Sequence, residues 1–261
     1  QGPVVVAVAP RGKQIRPEEA ARQLKKIARL IAAYIAVVQQ NYSRAGNLYE
    51  TLLSDFPTTR SEAVNFHFFA GLSHQFRWEV EKSRKELLET AKGHYEYVAK
   101  NCHDAPSTTL CASSRLNLGV LYLESGNMKD ALRYNKDALA FAGEDRFPAL
   151  NNIGAIYAQM NNFPEAEKTY REASLLRPNS VHVALLLGQV LKSQAKFSEA
   201  EAVYRRAIEL APKDHRPYFL LGECLINEGR RDEGLSYQRK AAQIAPDKVF
   251  LVTPGQRPPG Q

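Results

Sequence analysis

Three cysteines, one tryptophan and two methionines are all that this 261-residue chain holds of its scarcest residue types. An odd, small cysteine count argues against a disulfide framework and fits ordinary thiols in a reducing, cytoplasmic compartment, with room for one bridge at most. Glycine and proline, 15 and 14 residues, are too few for a collagen-like or low-complexity chain. Long apolar runs are missing as well. The most apolar stretch, Leu30–Val38, is nine residues, and a membrane helix needs about twenty. No charged region precedes the apolar Val4–Val8, which is too short for a signal-peptide core. The chain opens on Gln1 rather than methionine, which reads as a processed or excerpted sequence.

What remains is a globular balance, 44% hydrophobic and 24% charged. The net charge of +7 is unevenly spread: residues 1–60 carry +5, 61–111 carry −1, 112–180 carry 0 and 181–261 carry +3. The neutral middle breaks any continuous basic track, so nucleic acid is not an expected partner.

Self-similarity sets the fold class. Gly119, Gly154, Gly188 and Gly222 stand 35, 34 and 34 residues apart, and twelve residues after each comes Ala131, Ala166, Ala200 or Gly234. Asn135, Tyr170, Tyr204 and Gln238 follow in phase, then Ala138, Ala173, Ala207 and Ala241, with Pro178, Pro212 and Pro246 closing three units. Each unit reads as two helices joined by a short turn. Ile153, Gly154 and Tyr157 share one face of the first helix; Ala166, Tyr170 and Ala173 share one face of the second. Small residues let the two backbones approach, and Pro164 suits a first helical turn. The reading is all-α.

The runs "NLGVLY…GNMKDAL", "NIGAIY…NNFPEAEKTYREA…P", "LLGQVL…AKFSEAEAVYRRAIELAP" and "LLGECL…GRRDEGLSYQRKAAQIAP" resemble tetratricopeptide repeats. They depart from the pattern at Arg115, Leu150, Ala184 and Tyr218, where tryptophan is usual, and at Asn135 and Gln238, where an aromatic is usual. The resemblance implies a right-handed α-solenoid. It is expected to run over 17–248, with clear repeats at 112–146, 147–180, 181–214 and 215–248 and divergent ones at 17–60 and 61–101. In the divergent part, Ala45, Tyr49, Leu52 and Pro57, and later Ala91, Tyr95 and Val98, keep the second-helix spacing. Residues 1–16 read as an extended segment, 102–110 as an internal joint, and 249–261 as a flexible tail.

The resemblance also implies a concave groove lined by first helices, binding a protein or extended peptide. Groove positions carried over from the family are Asn117, Asn151, Asn152, Gln159, Gln189, Lys192, Arg216, Phe219 and Glu223. Asn117 and Asn152 resemble the asparagine ladder of some members, since an amide can grip a peptide backbone through both donor and acceptor. Against this stands a purely structural use, capping a helix or facing water. Leu220 and Ile226 could extend an apolar patch with Phe219, or bury beneath the "KVFLV" segment. A chaperone-type EEVD tail is not an expected ligand. Leu116, Val120, His182 and Leu186 occupy the carboxylate-clamp positions in one register, and Asn151, Ala155, Leu186, Arg216 and Leu220 in the next. Neither register supplies the required cations.

Leu30–Val38 is apolar all round its helix, which predicts enclosure by the following helix and by Val4–Ala9; failing that, it is a surface for a partner or for self-association. Cys102, His103 and Cys111 lack the fourth ligand of a structural zinc site. His67, His74, His94, His182 and His215 read as scattered, without a carboxylate or Ser/Asp constellation beside them. No phosphate-binding or nucleophile motif occurs. Neither catalysis, a metal nor a cofactor is expected. The expected function is a non-catalytic interaction scaffold; the alternatives are a substrate-recruiting or regulatory region of a larger enzyme and a structural subunit of an assembly.

Overall fold

The computed structural model describes residues 16–56, 58–104, 108–143 and 145–248. Val4–Ala9, Pro57, Pro106, the "VFLV" following Lys248 and the tail Thr253–Gln261 lie outside the described residues. Twelve α-helices and two short 3₁₀ turns account for the regular structure among them, with no strand. The chain divides into two compact units at Leu110/Cys111.

The first unit holds α1 (Pro17–Val38), α2 (Tyr42–Asp55), α3 (Arg60–Val80) and α4 (Lys85–Lys100). Helix starts are written in the sequence. Pro17 opens α1 with Glu18 and Glu19 against the positive helix end. Asn41 accepts from the Arg44 N–H, and Thr59 and Glu62 form a reciprocal capping box on α3. Each helix packs on the next. Ala45, Tyr49 and Leu52 are buried on α2, and Ala91, Tyr95 and Val98 on α4.

Among the described residues, α2 does not enclose Leu30–Val38. Only Ala33 and Ala36 of α1 are buried, while Leu30, Ile31, Tyr34, Ile35 and Val38 are exposed. The cause is that α1 packs on α2 through its two alanines, so one narrow stripe meets a neighbour and the broad apolar face turns outward.

The second unit comprises α5 (Thr108–Glu124) from Cys111 onward, α6 (Met128–Leu139), α7 (Phe147–Gln159), α8 (Phe163–Leu176), α9 (Val181–Ser193), α10 (Phe197–Leu210), α11 (His215–Asn227) and α12 (Arg231–Ile244). Proline stands in the first turn of α7 and α8. The periodic small residues work by contact. A Cβ on Gly154 would lie 2.6 Å from the Tyr170 ring, and one on Gly188 would meet Tyr204 in the same way. Tyr170 and Tyr204 are buried against the facing backbone, flanked by Ala166, Ala173, Ala200 and Ala207. In the flanking repeats, buried Asn135 and Gln238 take the ring's place beside Gly119 and Gly222. The last pair closes further, so that a Cβ on Gly222 would lie 2.6 Å from the Gly234 carbonyl oxygen.

A second 34-residue period is electrostatic. Glu167 takes Lys196 at 2.7 Å and Arg171 at 2.9 Å, and Arg171 reaches Glu199. One repeat later Glu201 takes Arg230 at 2.7 Å and Arg205, which reaches Glu233 at 3.6 Å. The carboxylates of Glu167 and Glu201 are only 12% and 10% exposed. Burial raises the Glu167 carboxyl, but hydrogen bonds from Lys196, Gln194 and Arg171 outweigh it and bring it to about 2.

The curvature of this unit follows from which helices touch. α7 contacts α9 and α9 contacts α11. By contrast, α8 is bridged to α10, and α10 to α12, by the long Arg171–Glu199 and Arg205–Glu233 pairs. First helices therefore line the tighter, inner face.

Overpacking the ring contact tests the account. Gly188→Ala should lower unfolding free energy by about 1–3 kcal/mol, read from urea midpoints at unchanged slope. Loss of less than a few tenths would mean that Tyr204 can move aside.

Candidate functional site

The inner face of the second unit carries the residues proposed for binding, and the structure assigns them unequal surroundings. Asn117 on α5 and Asn151 and Asn152 on α7 are half-buried. Asn152 donates from its amide to Asn135 Oδ1 at 3.0 Å, and Asn135 in turn donates to the Ala131 carbonyl at 2.8 Å. Asn152 is thus tied to α6 of the preceding repeat. Asn151 differs, since its Oδ1 is buried with no hydrogen-bond partner. Gln159 and Gln189 are exposed.

The charged candidates neutralise carboxylates of the chain itself. Lys192 on α9 meets Glu223 on α11 at 3.0 Å, linking adjacent first helices. Arg216 grips Asp214, the residue capping α11, with contacts of 2.7 to 3.1 Å, and this pairing raises the guanidinium and lowers the Asp214 carboxyl. Phe219 is half-buried, as are Leu220 and Ile226; Leu220 packs on the core of the unit.

The first unit contains a cluster that the sequence reading missed. His67, His74 and His94 are not scattered. His74 Nε2 lies 3.2 Å and His94 Nε2 2.9 Å from the same oxygen, Glu50 Oε1. His67 Nδ1 lies 2.8 Å from His94 Nδ1. The His74 and His94 rings are parallel within 8° at 5.6 Å, and His67 stacks on Tyr97 at 3.8 Å. Hydrogen bonds from His74 and then His94 hold the Glu50 carboxyl far below the ordinary carboxylate range. Burial, reinforced by His94, lowers His67 to about 4. A partial signal lay in the sequence: His67 and His74 are seven residues apart, one face of a helix over two turns. Glu50 and His94 come from other helices, at separations no spacing rule picks out.

Cys102 and Cys111 are disulfide-bonded, while Cys224 is a free, buried thiol. The sequence reading of Cys102 and Cys111 as ordinary thiols gives way to its allowance for a bridge. Among the described residues no helix is long and apolar enough to cross a membrane.

Asn152→Ala should lower stability by about 1–3 kcal/mol, because it strips the buried Asn135 Oδ1 of its donor. Chemical denaturation checks this, and an unchanged midpoint would mean that the Asn152–Asn135 bond contributes nothing.

Tetratricopeptide-repeat models match residues 111–144, 145–213 and 185–249. The sequence matches no curated protein. Among solved structures, MamA superposes with a TM-score of 0.58 at 21% identity, covering 74% of this chain and 99% of that one. PilF of Pseudomonas aeruginosa gives 0.62 at 17% identity, with 87% and 95% covered. YrrB, a repeat protein of the same kind with an unusual peptide-binding site, gives 0.56 at 18% identity, with 77% and 93% covered. At these identities the likeness is one of fold.

Proposed function

The chain belongs to the tetratricopeptide-repeat family, and on that premise we propose that it is a non-catalytic scaffold whose second unit binds an extended peptide or protein segment along its inner face. The observation that carries this reading is the pair of exposed amides, Gln159 on α7 and Gln189 on α9. Each can meet a ligand backbone N–H or C=O, with a net gain of about 0.5–1.5 kcal/mol per bond. Half-buried Asn151 stands on the same helix as Gln159, and half-buried Phe219 offers an apolar contact further along. Asn117 adds an amide on α5. Lys192 and Arg216 already face Glu223 and Asp214. That favours a ligand held through backbone and apolar groups over one with an acidic terminus of the EEVD kind. YrrB supplies a precedent for peptide binding on this fold.

The test is affinity capture from native lysate with quantitative mass spectrometry. Asn151→Ala/Gln189→Ala/Phe219→Ala is compared with Lys168→Ala/Arg206→Ala on the second helices, after circular dichroism shows both variants folded. Partners should fall away from the first variant by about tenfold or more and persist on the second; the reverse pattern would place binding on the outer face.

A second reading, as a subunit of an assembly, rests on α1. Leu24, Ile27, Ile31, Tyr34 and Val38 recur at alternating spacings of three and four, and all are exposed, Leu24 and Tyr34 by two thirds. That is the seam spacing of a two-helix contact, and it favours self-association through the Leu30–Val38 face. Light scattering behind size exclusion should show a concentration-dependent dimer that Ile31→Glu/Tyr34→Glu converts to monomer. A wild type that stays monomeric at high concentration would remove this reading.

A further inference from the structure

We propose that Glu50, His74 and His94 form a binding site for a divalent first-row transition ion of the zinc class, with His67 as the partner that orients His94. The site lies wholly within the first unit, so it is independent of the peptide-binding face.

Ligand type comes first. Two imidazoles and one carboxylate suit zinc and its neighbours rather than magnesium or calcium, which prefer all-oxygen sites. Three protein ligands leave a fourth position for water.

The spacing also fits. In a tetrahedral site with bonds of about 2.0–2.1 Å, neighbouring ligand atoms lie roughly 3.3 Å apart. Here the Glu50 Oε1 edges to His74 Nε2 and His94 Nε2 measure 3.2 and 2.9 Å, and all three ligand atoms lie within 4.8 Å of one another. The two edges to Glu50 are thus within about half an ångström of that spacing, and the third, between the histidines, is no longer than 4.8 Å. Both histidines are about one-tenth exposed, whereas Glu50 is 44% exposed, which gives an approach from solvent.

Proton bookkeeping is consistent with exchange. The ionised Glu50 carboxylate carries no proton, so without metal both Nε2 atoms donate to it, and His94 Nδ1 accepts from His67 Nδ1–H. A metal on the two Nε2 atoms requires the opposite tautomers. On His94 the proton moves to Nδ1, which then donates to His67 Nδ1, while His67 carries its own proton on Nε2. This is the outer hydrogen bond a ligating histidine needs, and it is already at 2.8 Å. On His74 the proton moves to Nδ1, which is buried without a partner, so no existing hydrogen bond resists the change.

Titration calorimetry of the untagged, chelator-treated full chain with ZnCl2 tests the proposal, together with long-range ¹H–¹⁵N correlation of the histidine rings. Expected is one ion per chain, with two histidines switching to the Nδ1–H form on saturation. Affinity should weaken by at least about tenfold in His94→Gln and Glu50→Gln. His67→Ala should weaken it by about tenfold or more while leaving the stoichiometry at one, as outer-shell losses do. Absence of zinc binding by the wild type would overturn the proposal. So would a saturated wild type whose histidine tautomers do not change, a readout that holds even if a variant fails to fold. Undiminished affinity in folded His94→Gln and Glu50→Gln would overturn it too.

Discussion

The close approach of two helix backbones, with an aromatic ring lying on a glycine, is the contact from which the rest of the second unit follows. Where Tyr170 lies on Gly154 and Tyr204 on Gly188, there is no room for even a methyl group. That contact fixes the spacing within each pair. With it fixed, alanines at Ala166, Ala173, Ala200 and Ala207 fill the seam, and the larger Leu185, Leu187 and Leu191 are free to pack between pairs. Stacking of such pairs buries a core that no single pair could bury.

Replacing the ring changes what the neighbouring residues do. At Asn135 the side chain is short and polar, and buried polar groups must be hydrogen-bonded. Asn135 therefore takes the Ala131 carbonyl on one side and the Asn152 amide on the other. Asn152 becomes part of the framework while Asn151, one residue earlier, keeps an unpartnered acceptor. A variation in packing inside one repeat thus gives two consecutive asparagines different surroundings. The buried Glu167 and Glu201 clasps act at the opposite side, where second helices stand further apart and long side chains span the gap.

The first unit uses the same spacing with a different outcome. Tyr95 lies on Gly71 there, yet the adjacent positions carry histidines. Their packing draws His67, His74 and His94 towards Glu50. Three imidazoles around an ionised carboxylate make a polar cluster that hydrocarbon would fill more simply, and this is what sets the unit apart from an ordinary repeat.

How much of this the sequence carried depends on the range of the interaction. Period and composition determined the helical pairs, their small-residue seams and the family, because each rests on residues within one turn or one repeat. The helix start at Pro17 was equally local. Charge partners were not legible: Lys192 with Glu223 and Glu167 with Lys196 meet across repeats, at separations of 31 and 29 residues. The apolar face of α1 was visible as composition, but whether a neighbour covers it depends on which stripe α2 meets. The cluster around Glu50 joins three helices through side-chain directions that only packing fixes. The sequence by itself determined a stack of helix pairs. Tertiary structure alone decided which polar groups face one another, because a hydrogen bond or a metal site needs atoms placed within tenths of an ångström, and periodicity places them only to a helix face.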